Sequence, residues 1–274
     1  MTHPLVSVII PCYNHGKYIE EAIASVEQSS EPRTEIIIVN DGSDEELTLN
    51  KLNELGKSGY RVIHQKNMGV SKARNRAITE SSGKYILPLD ADNKITQFFI
   101  QKAARILEEN PEFSVVYSDK IIIRNNTEYV IKVGGFDFPR LLRRNYIDTC
   151  AVFRKTLWEQ TGGYDEKIMG LEDYDFWLSA AKRGFKFCYL PEPLFFYRIL
   201  ENSMSRSRAG SLVYKEIRTY IHQKHSDQFT PEMLKMIRLA KEAENNNKYL
   251  LRSSVKYLYR WAISLFGMSR KNTY

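Results

Sequence analysis

Asp90 and Asp92 stand one residue apart where the apolar run Tyr85 to Leu89 stops. In an α/β sheet the carboxyl end of a strand is where ligands gather, and a buried carboxylate pair there needs a cation or donors to offset its lost hydration. A divalent metal is the simplest such partner. Mg²⁺ takes one or two protein carboxylates and fills its shell with water and phosphate oxygens, so the pair predicts a metal that holds a diphosphate. A second acidic pair, Glu172-Asp173, lies just ahead of an amphipathic stretch whose Trp177, Leu178 and Ala181 face a core. Acids at a helix start are already favoured by the helix dipole. A carboxyl flanked by Trp177 and a second carboxylate also has a raised proton affinity, which general-base work on a hydroxyl requires.

Two more polar loops end apolar runs, Pro11-Cys12-Tyr13-Asn14 and Asn40-Asp41-Gly42-Ser43. Together with Asp90-Ala91-Asp92 they predict one nucleotide site along a shared sheet edge. The Asp41 carboxylate accepts from an N–H such as uracil N3, and it repels cytosine, which presents an acceptor at the same place. Asp-Gly-Ser equally forms a plain turn and helix cap. Asn67 to Arg76 opens a helix with Gly69 near its start and Lys72, Arg74 and Arg76 on its first turns, and Arg74 is the cation expected to face a phosphate. No G-x-G-x-x-G follows the first strand, which counts against a dinucleotide enzyme.

The elements that must carry these loops alternate. Val6–Pro11, Glu35–Val39, Tyr60–His64 and Tyr85–Leu89 read as strands, each followed by a stretch of helical periodicity within 16–28, 45–55, 69–79 and 96–108. Four such units predict a Rossmann-like α/β fold with a mostly parallel sheet flanked by helices. From Phe113 the rhythm changes to short strands at 114–117, 120–123, 129–133 and 149–153, a helix at 172–183, and extended pieces at 185–190 and 194–197. The expected organisation is a domain over 1–205, divided into a nucleotide-binding half, 1–110, and an acceptor-binding half, 111–205, with a helical C-terminal extension over 206–274.

The 274 residues are 43% hydrophobic, enough for a full core. Residues 1–200 carry 26 Lys and Arg against 27 Asp and Glu, while residues 201–274 carry 14 against 6. The basic excess therefore belongs to the last quarter and matches an anionic surface better than nucleic acid, and no nucleic-acid partner is expected. Within residues 253–268, Val255, Leu258, Trp261, Ala262, Leu265 and Phe266 recur at helical spacing beside Lys256 and Arg260. That helix suits either an anionic membrane or packing on its own domain or on a second subunit in a homodimer. Neither a spanning apolar run nor a signal-like N-terminus is visible, so a cytoplasmic protein is expected, with the inner membrane face as its alternative site. Cys12, Cys150 and Cys188 are odd in number and sit in apolar runs, which predicts buried free thiols.

Taken in order, SVIIPCYN, EIIIVNDGSDEE, NMGVSKARNRAI, YILPLDAD, GGYDE and GLEDYDFWL resemble the family 2 glycosyltransferases of GT-A fold, over roughly residues 5–205. The resemblance implies a nucleotide-sugar donor, most often a UDP-sugar, a Mn²⁺ or Mg²⁺ ion, and inverting transfer to a saccharide or lipid-linked hydroxyl. By position it implies that Pro11, Tyr13, Asn14 and Asp41 hold the nucleoside with Arg74 nearby. Asp90 then lies by the ribose or a metal-bound water, Asp92 binds the metal, and Asp173 is the base with Glu172 beside it. Two positions depart from the family pattern. Asn93 stands where many relatives have a third Asp, and Leu200 stands where many have a metal-binding His in a Tyr-Arg-x-His segment. Arg198, Ser203 and Arg206 are expected to close over the diphosphate as a loop. A non-catalytic nucleotide-sugar-binding subunit and a sugar nucleotidyltransferase are the competing readings, the second weakened by the poor match of PCYNHGKY to a glycine-rich phosphate loop.

Overall fold

The computed structural model describes residues 5–125, 127–200 and 211–228. The chain divides into two compact units, Met1–Lys224 and His225–Tyr274. The second contributes one described element, the 3₁₀ turn Ser226–Gln228. Ser203, Arg206 and the 253–268 segment lie outside the described residues.

In the first unit β1 (Val6–Cys12), β2 (Thr34–Asp41), β3 (Arg61–Gln65) and β4 (Tyr85–Pro88) pair in parallel in the order β3-β2-β1-β4. Between them run α1 (Ile19–Glu27), α2 (Glu46–Lys57) and α3 (Val70–Thr79), and after β4 comes α4 (Phe99–Glu109). The near-continuous apolar runs of β1, β2 and β4 are those of strands covered on both faces. Ile19, Ala22, Ile23 and Val26 supply one buried stripe, at i, i+3, i+4 and i+7. Because the four strands are parallel, their carboxyl ends share one edge, and all three predicted polar loops fall on it.

The second half extends the same sheet. A short β5 (Lys94–Ile95) follows the Asp-x-Asp loop, and β6 (Phe113–Arg124) fuses the two pieces expected at 114–117 and 120–123. Next come β7 (Thr127–Ile131), α5 (Phe138–Arg143), β8 (Val152–Arg154), α6 (Lys155–Thr161) and α7 (Glu172–Lys182). A single β9 (Lys186–Arg198) replaces the two extended pieces expected at 185–190 and 194–197, and α8 (Leu212–Lys224) completes the unit. Strand β8 joins the halves, antiparallel to both β4 and β6, and β6 runs parallel to β9. The pairing of β6 with β9 shifts register between Ser118 and Lys120, opposite the Pro191-Glu192-Pro193 stretch of β9, whose prolines cannot donate to a ladder. Helix α7 seats Phe176 and Trp177 against Phe153, with ring centroids 5.2 and 5.9 Å apart. Lys224 on α8 pairs with Asp165 and Asp175, both at 2.8 Å, so α8 falls within the first unit. Among the described residues no helix is long and apolar enough to cross a membrane. The three thiols are free, with Cys12 and Cys150 buried and Cys188 half-buried, and burial pushes Cys12 up to about 11.

Candidate active site

The loop after β2 is built around a glycine where any side chain would be strained. Gly42 has φ +70°, and a Cβ there would stand 2.3 Å from the Asn67 nitrogen. That close approach lets Asp41 reach the start of α3. One of its oxygens accepts from Gln65 Nε2 at 2.7 Å and the Met68 N–H at 2.9 Å, and the other accepts from the Gly69 N–H at 2.9 Å. Three of its roughly four lone-pair positions are therefore filled by the protein, leaving one acceptor position for a ligand. Asn14, at φ 55°, ties the first loop to the second. Its Nδ2 donates to Asp44 at 2.6 Å, and its Oδ1 accepts from the Asp44 and Glu45 N–H groups, both at 3.1 Å, ahead of α2. Pro11 sits in the ladder opposite Val39, and Tyr13 leaves 42% of its surface exposed at the loop tip.

Arg74 lies on the buried side of α3, with Ala73, Ala77 and Ile78, and is only 2% exposed. Its Nη2 donates to Asp90 Oδ1 and its Nη1 to Glu172 Oε1, both at 2.7 Å, while its guanidinium carbon lies 5.5 Å from the Tyr164 ring centroid. Both terminal nitrogens are thus taken by carboxylates, which accounts for the burial of a charge that would otherwise cost several kcal/mol. The expectation that this cation faces a phosphate gives way to a different geometry. Arg74 points inward and joins the Asp-x-Asp loop to the Glu-Asp pair. Tyr164 is held over it by Asn75, whose Nδ2 donates to the Tyr164 carbonyl and whose Oδ1 accepts the Tyr164 N–H, each at 2.9 Å. Gly163 precedes it at φ +77°, where a Cβ would stand 2.8 Å from Trp158 Nε1.

Asp92 differs from Asp90. Among the described residues no Lys or Arg forms an ion pair with it, and burial followed by the Asp90 charge pushes its carboxyl up to about 6, against a pull downward from His15. Beneath the loop, Arg198 donates from its backbone N–H to Asn93 Oδ1 at 2.9 Å and from Nε to the Asp92 carbonyl at 3.0 Å. The same guanidinium pairs with Glu21 at 2.5 Å. Asn93 and Arg198 therefore clamp the loop from below, with the Arg198 fork turned to Glu21 and the loop backbone.

These residues fit a divalent cation. Asp92 is a half-buried carboxylate with raised proton affinity and, among the described residues, no Lys or Arg ion-paired to it, and Asp90 next to it has one oxygen held by Arg74. Among the described residues no group of three or more His, Cys, Asp or Glu could hold a metal alone. One or two protein oxygens completed by phosphate and water match Mg²⁺ or Mn²⁺ and not a closed zinc site.

Asp173 opens α7. Its Oδ1 accepts from the Tyr174 N–H at 2.7 Å and its Oδ2 from Asn145 Nδ2 at 2.8 Å. Burial, then the charges of Glu172 and Asp148, push it up to about 7, opposed by Arg74. The neighbouring carboxylate acts as the sequence suggests. The other expected neighbour, Trp177, is instead fully buried against Phe153 and Phe176, and Asp148, an acid that sequence reasoning did not single out, takes its place. Asp148 pairs with Lys120 at 3.0 Å, and Lys120 lies 4.9 Å over the Tyr197 ring. Asn145, Asp148 and Lys120 come from a loop and a strand with no motif around them. Asn145 and Asp148 fall within 136–146 and 148–153, the stretches expected to set sugar, acceptor and linkage, but their side-chain directions could not be read from the sequence.

The fold is that of a GT-A glycosyltransferase. Residues 7–161 match Glycosyl transferase family 2, and the chain belongs to that family. It is 30% identical over 227 residues to the putative teichuronic acid biosynthesis glycosyltransferase TuaG of Bacillus subtilis, covering 78% of this chain and 88% of that one. It is 28% identical over 233 residues to an uncharacterised glycosyltransferase of Methanocaldococcus jannaschii, covering 80% of each. The chondroitin synthase of Pasteurella multocida is 29% identical over 195 residues, which cover 68% of this chain and 20% of that enzyme. Among solved structures, TarS 1–349 of S. aureus in complex with UDP-GlcNAc superposes with a TM-score of 0.63 at 19% identity, covering 81% of this chain and 71% of that one. The mannosyltransferase PcManGT of Pyrobaculum calidifontis, in complex with GDP-Man and Mn²⁺, gives 0.58 at 18% identity, covering 97% and 82%. These likenesses extend the GT-A fold to the present chain.

Proposed function

We propose that this glycosyltransferase moves a sugar from a nucleotide diphosphate, with uridine the preferred base, to a hydroxyl of a saccharide or lipid-linked glycan, with inversion at the anomeric carbon. The observation that carries the reading is the Arg74 fork, which brings Asp90 of the Asp-x-Asp loop and Glu172 beside Asp173 to one guanidinium. A donor gripped at the first pair then presents its reacting carbon to a base at the second.

In this reading Asp173 takes the proton of the acceptor hydroxyl, the freed oxygen forms the new bond to the anomeric carbon, and the nucleoside diphosphate leaves from the opposite face with the bonding electrons. A proton affinity near neutral suits a general base. A separate acid is not required, because a diphosphate leaves as an anion. Asp92, with Asp90 beside it, would hold Mn²⁺ or Mg²⁺, which supplies neutralisation of the departing charge when bound. Tyr13 offers a face for the base, Asp41 offers its remaining acceptor position to an N–H such as uracil N3, and Pro11 and Asn14 shape the loop between them. TarS was solved with UDP-GlcNAc and PcManGT with GDP-Man and Mn²⁺, which supports a nucleotide-sugar donor here. Residues 253–268 would bring the enzyme to an anionic membrane if the acceptor is lipid-linked.

The test is a thermal-shift screen of UDP-, GDP- and TDP-sugars with Mn²⁺. A ligand selective for the folded state raises the melting point. A UDP-sugar is expected to give the largest shift, and no shift with any nucleotide sugar would remove the donor site.

A further inference from the structure

Beside Asp173 lies a group of polar side chains that donor binding leaves unused. Asp173 is acceptor-only when ionised, so the Asn145 amide must turn its nitrogen toward it, and this fixes Asn145 Oδ1 on the other side. That oxygen is buried and, among the described residues, has no hydrogen-bond partner. Such an atom costs free energy unless a ligand satisfies it. Three residues further on, Asp148 Oδ1 accepts from the Cys150 N–H at 3.2 Å and Oδ2 from Lys120 Nζ at 3.0 Å, so each oxygen keeps a lone pair. Lys120 is half-buried, neutralised by Asp148, and close enough to Asp173 to feel its charge.

We propose that Asn145, Asp148 and Lys120 line the acceptor subsite and receive an uncharged sugar ring whose hydroxyls donate to Asn145 Oδ1 and to the Asp148 carboxylate. This rests on the reading of Asp173 as the base. The argument is one of hydrogen-bond complementarity. The wall offers acceptors from Asn145, Asp148 and Asp173, while its one cation is already paired. A polyol brings the donors such a wall lacks. A uronate carboxylate or a phosphate group next to the reacting hydroxyl would bring a negative charge and acceptors only at that position and meet two carboxylates, so the subsite discriminates against it.

The test uses the full chain with Mn²⁺ and whichever nucleotide sugar gives the largest thermal shift. Transfer to methyl β-glucoside, methyl β-galactoside, methyl N-acetyl-β-glucosaminide and methyl β-glucuronide is measured alongside donor hydrolysis by water. At least one neutral glycoside should exceed the glucuronide by about tenfold in kcat/KM, the scale of one hydrogen bond to a charged group. Asn145→Ala and Asp148→Asn should each lower transfer relative to hydrolysis by about tenfold, chiefly through acceptor KM, and Asp148→Asn should narrow the gap to the glucuronide. A retained thermal shift with UDP certifies that each variant is folded. Three results overturn the subsite: a glucuronide used as well as the glucosides, an unchanged transfer-to-hydrolysis ratio in both variants, or transfer to no neutral glycoside while hydrolysis persists. If no nucleotide sugar shifts the melting point or is hydrolysed, the donor reading fails first and the subsite falls with it.

Discussion

Arg74 and Glu172 are 98 residues apart in the chain and 2.7 Å apart in space. Since the same guanidinium also holds Asp90 at 2.7 Å, one side chain links the loop after the parallel strand β4 to the start of α7 in the other half of the unit. Replacing Arg74 by Ala leaves the buried Glu172 and the half-buried Asp90 without their cation and should cost about 3 kcal/mol in urea unfolding. Arg74→Lys keeps the charge but not the two-pronged geometry. It should lose less stability and still lower turnover, and equal turnover in the Lys variant would show that the fork geometry is dispensable.

Asp173→Asn should reduce transfer by about 10²–10⁴-fold, the usual contribution of a positioned base. Calorimetric affinity for UDP with Mn²⁺ should stay within twofold or so, because UDP offers nothing to the base. Near-native turnover would take Asp173 out of the reaction.

The raised proton affinity of Asp173 has two consequences for pH. Activity should climb as pH passes through about 7, where the base becomes free, and an activity plateau extending down to pH 5 would contradict this. Stability should move the other way. Between about pH 4, where an unfolded Asp titrates, and about 7, the folded chain holds a proton that the unfolded chain has released, so stability falls as pH rises across that window. Asp92, raised to about 6, adds to the same slope. Asp173→Asn removes the Asp173 share, so its melting temperature should gain on the parent more at pH 8 than at pH 4.5.

Metal removal tests the Asp-x-Asp loop directly. Mn²⁺ should tighten UDP binding in calorimetry, and chelation should abolish the gain. Asp92→Asn should weaken the metal-dependent part by about tenfold or more, roughly 1.4 kcal/mol. An identical Mn²⁺ effect in that variant would place the ion elsewhere.

Gly42→Ala probes the backbone that Asp41 depends on. With φ at +70° and a Cβ 2.3 Å from the Asn67 nitrogen, the substitution should cost about 1–3 kcal/mol and loosen the start of α3. Thermal unfolding measures the first effect, and nucleotide affinity the second.

The parallel half of the fold was legible because β1, β2 and β4 are apolar runs covered on both faces and its helices keep a 3.6-residue stripe, so these elements announce themselves locally. The Asp-x-Asp loop and the Glu172-Asp173 pair were legible for the same reason, standing at element ends. The partner of Arg74 was harder to read. The sequence points Arg74 toward a phosphate; its place among Ala73, Ala77 and Ile78 on a buried stripe fits an internal ion pair, but the acids are 16 and 98 residues away. Asn145 and Asp148 lie in stretches the sequence points to, but their directions were unreadable, since a loop residue gains its orientation only from the strand and helix packed on either side of it. The two short strands expected at 114–123 merged because the register shift at Ser118–Lys120 interrupts alternation without ending the ladder.

That irregular joint has an evolutionary reading. Side chains along a strand alternate sides, so inserting or deleting one residue near Asp119, or straightening the proline-marked stretch opposite it, swings Lys120 from one side of the sheet to the other. The four parallel strands bearing Asp41 and Asp92 would not feel the change. Under the acceptor subsite proposed above, a lineage of such enzymes would acquire new recipients by editing a single hinge of the ladder while inheriting its grip on activated sugars unaltered.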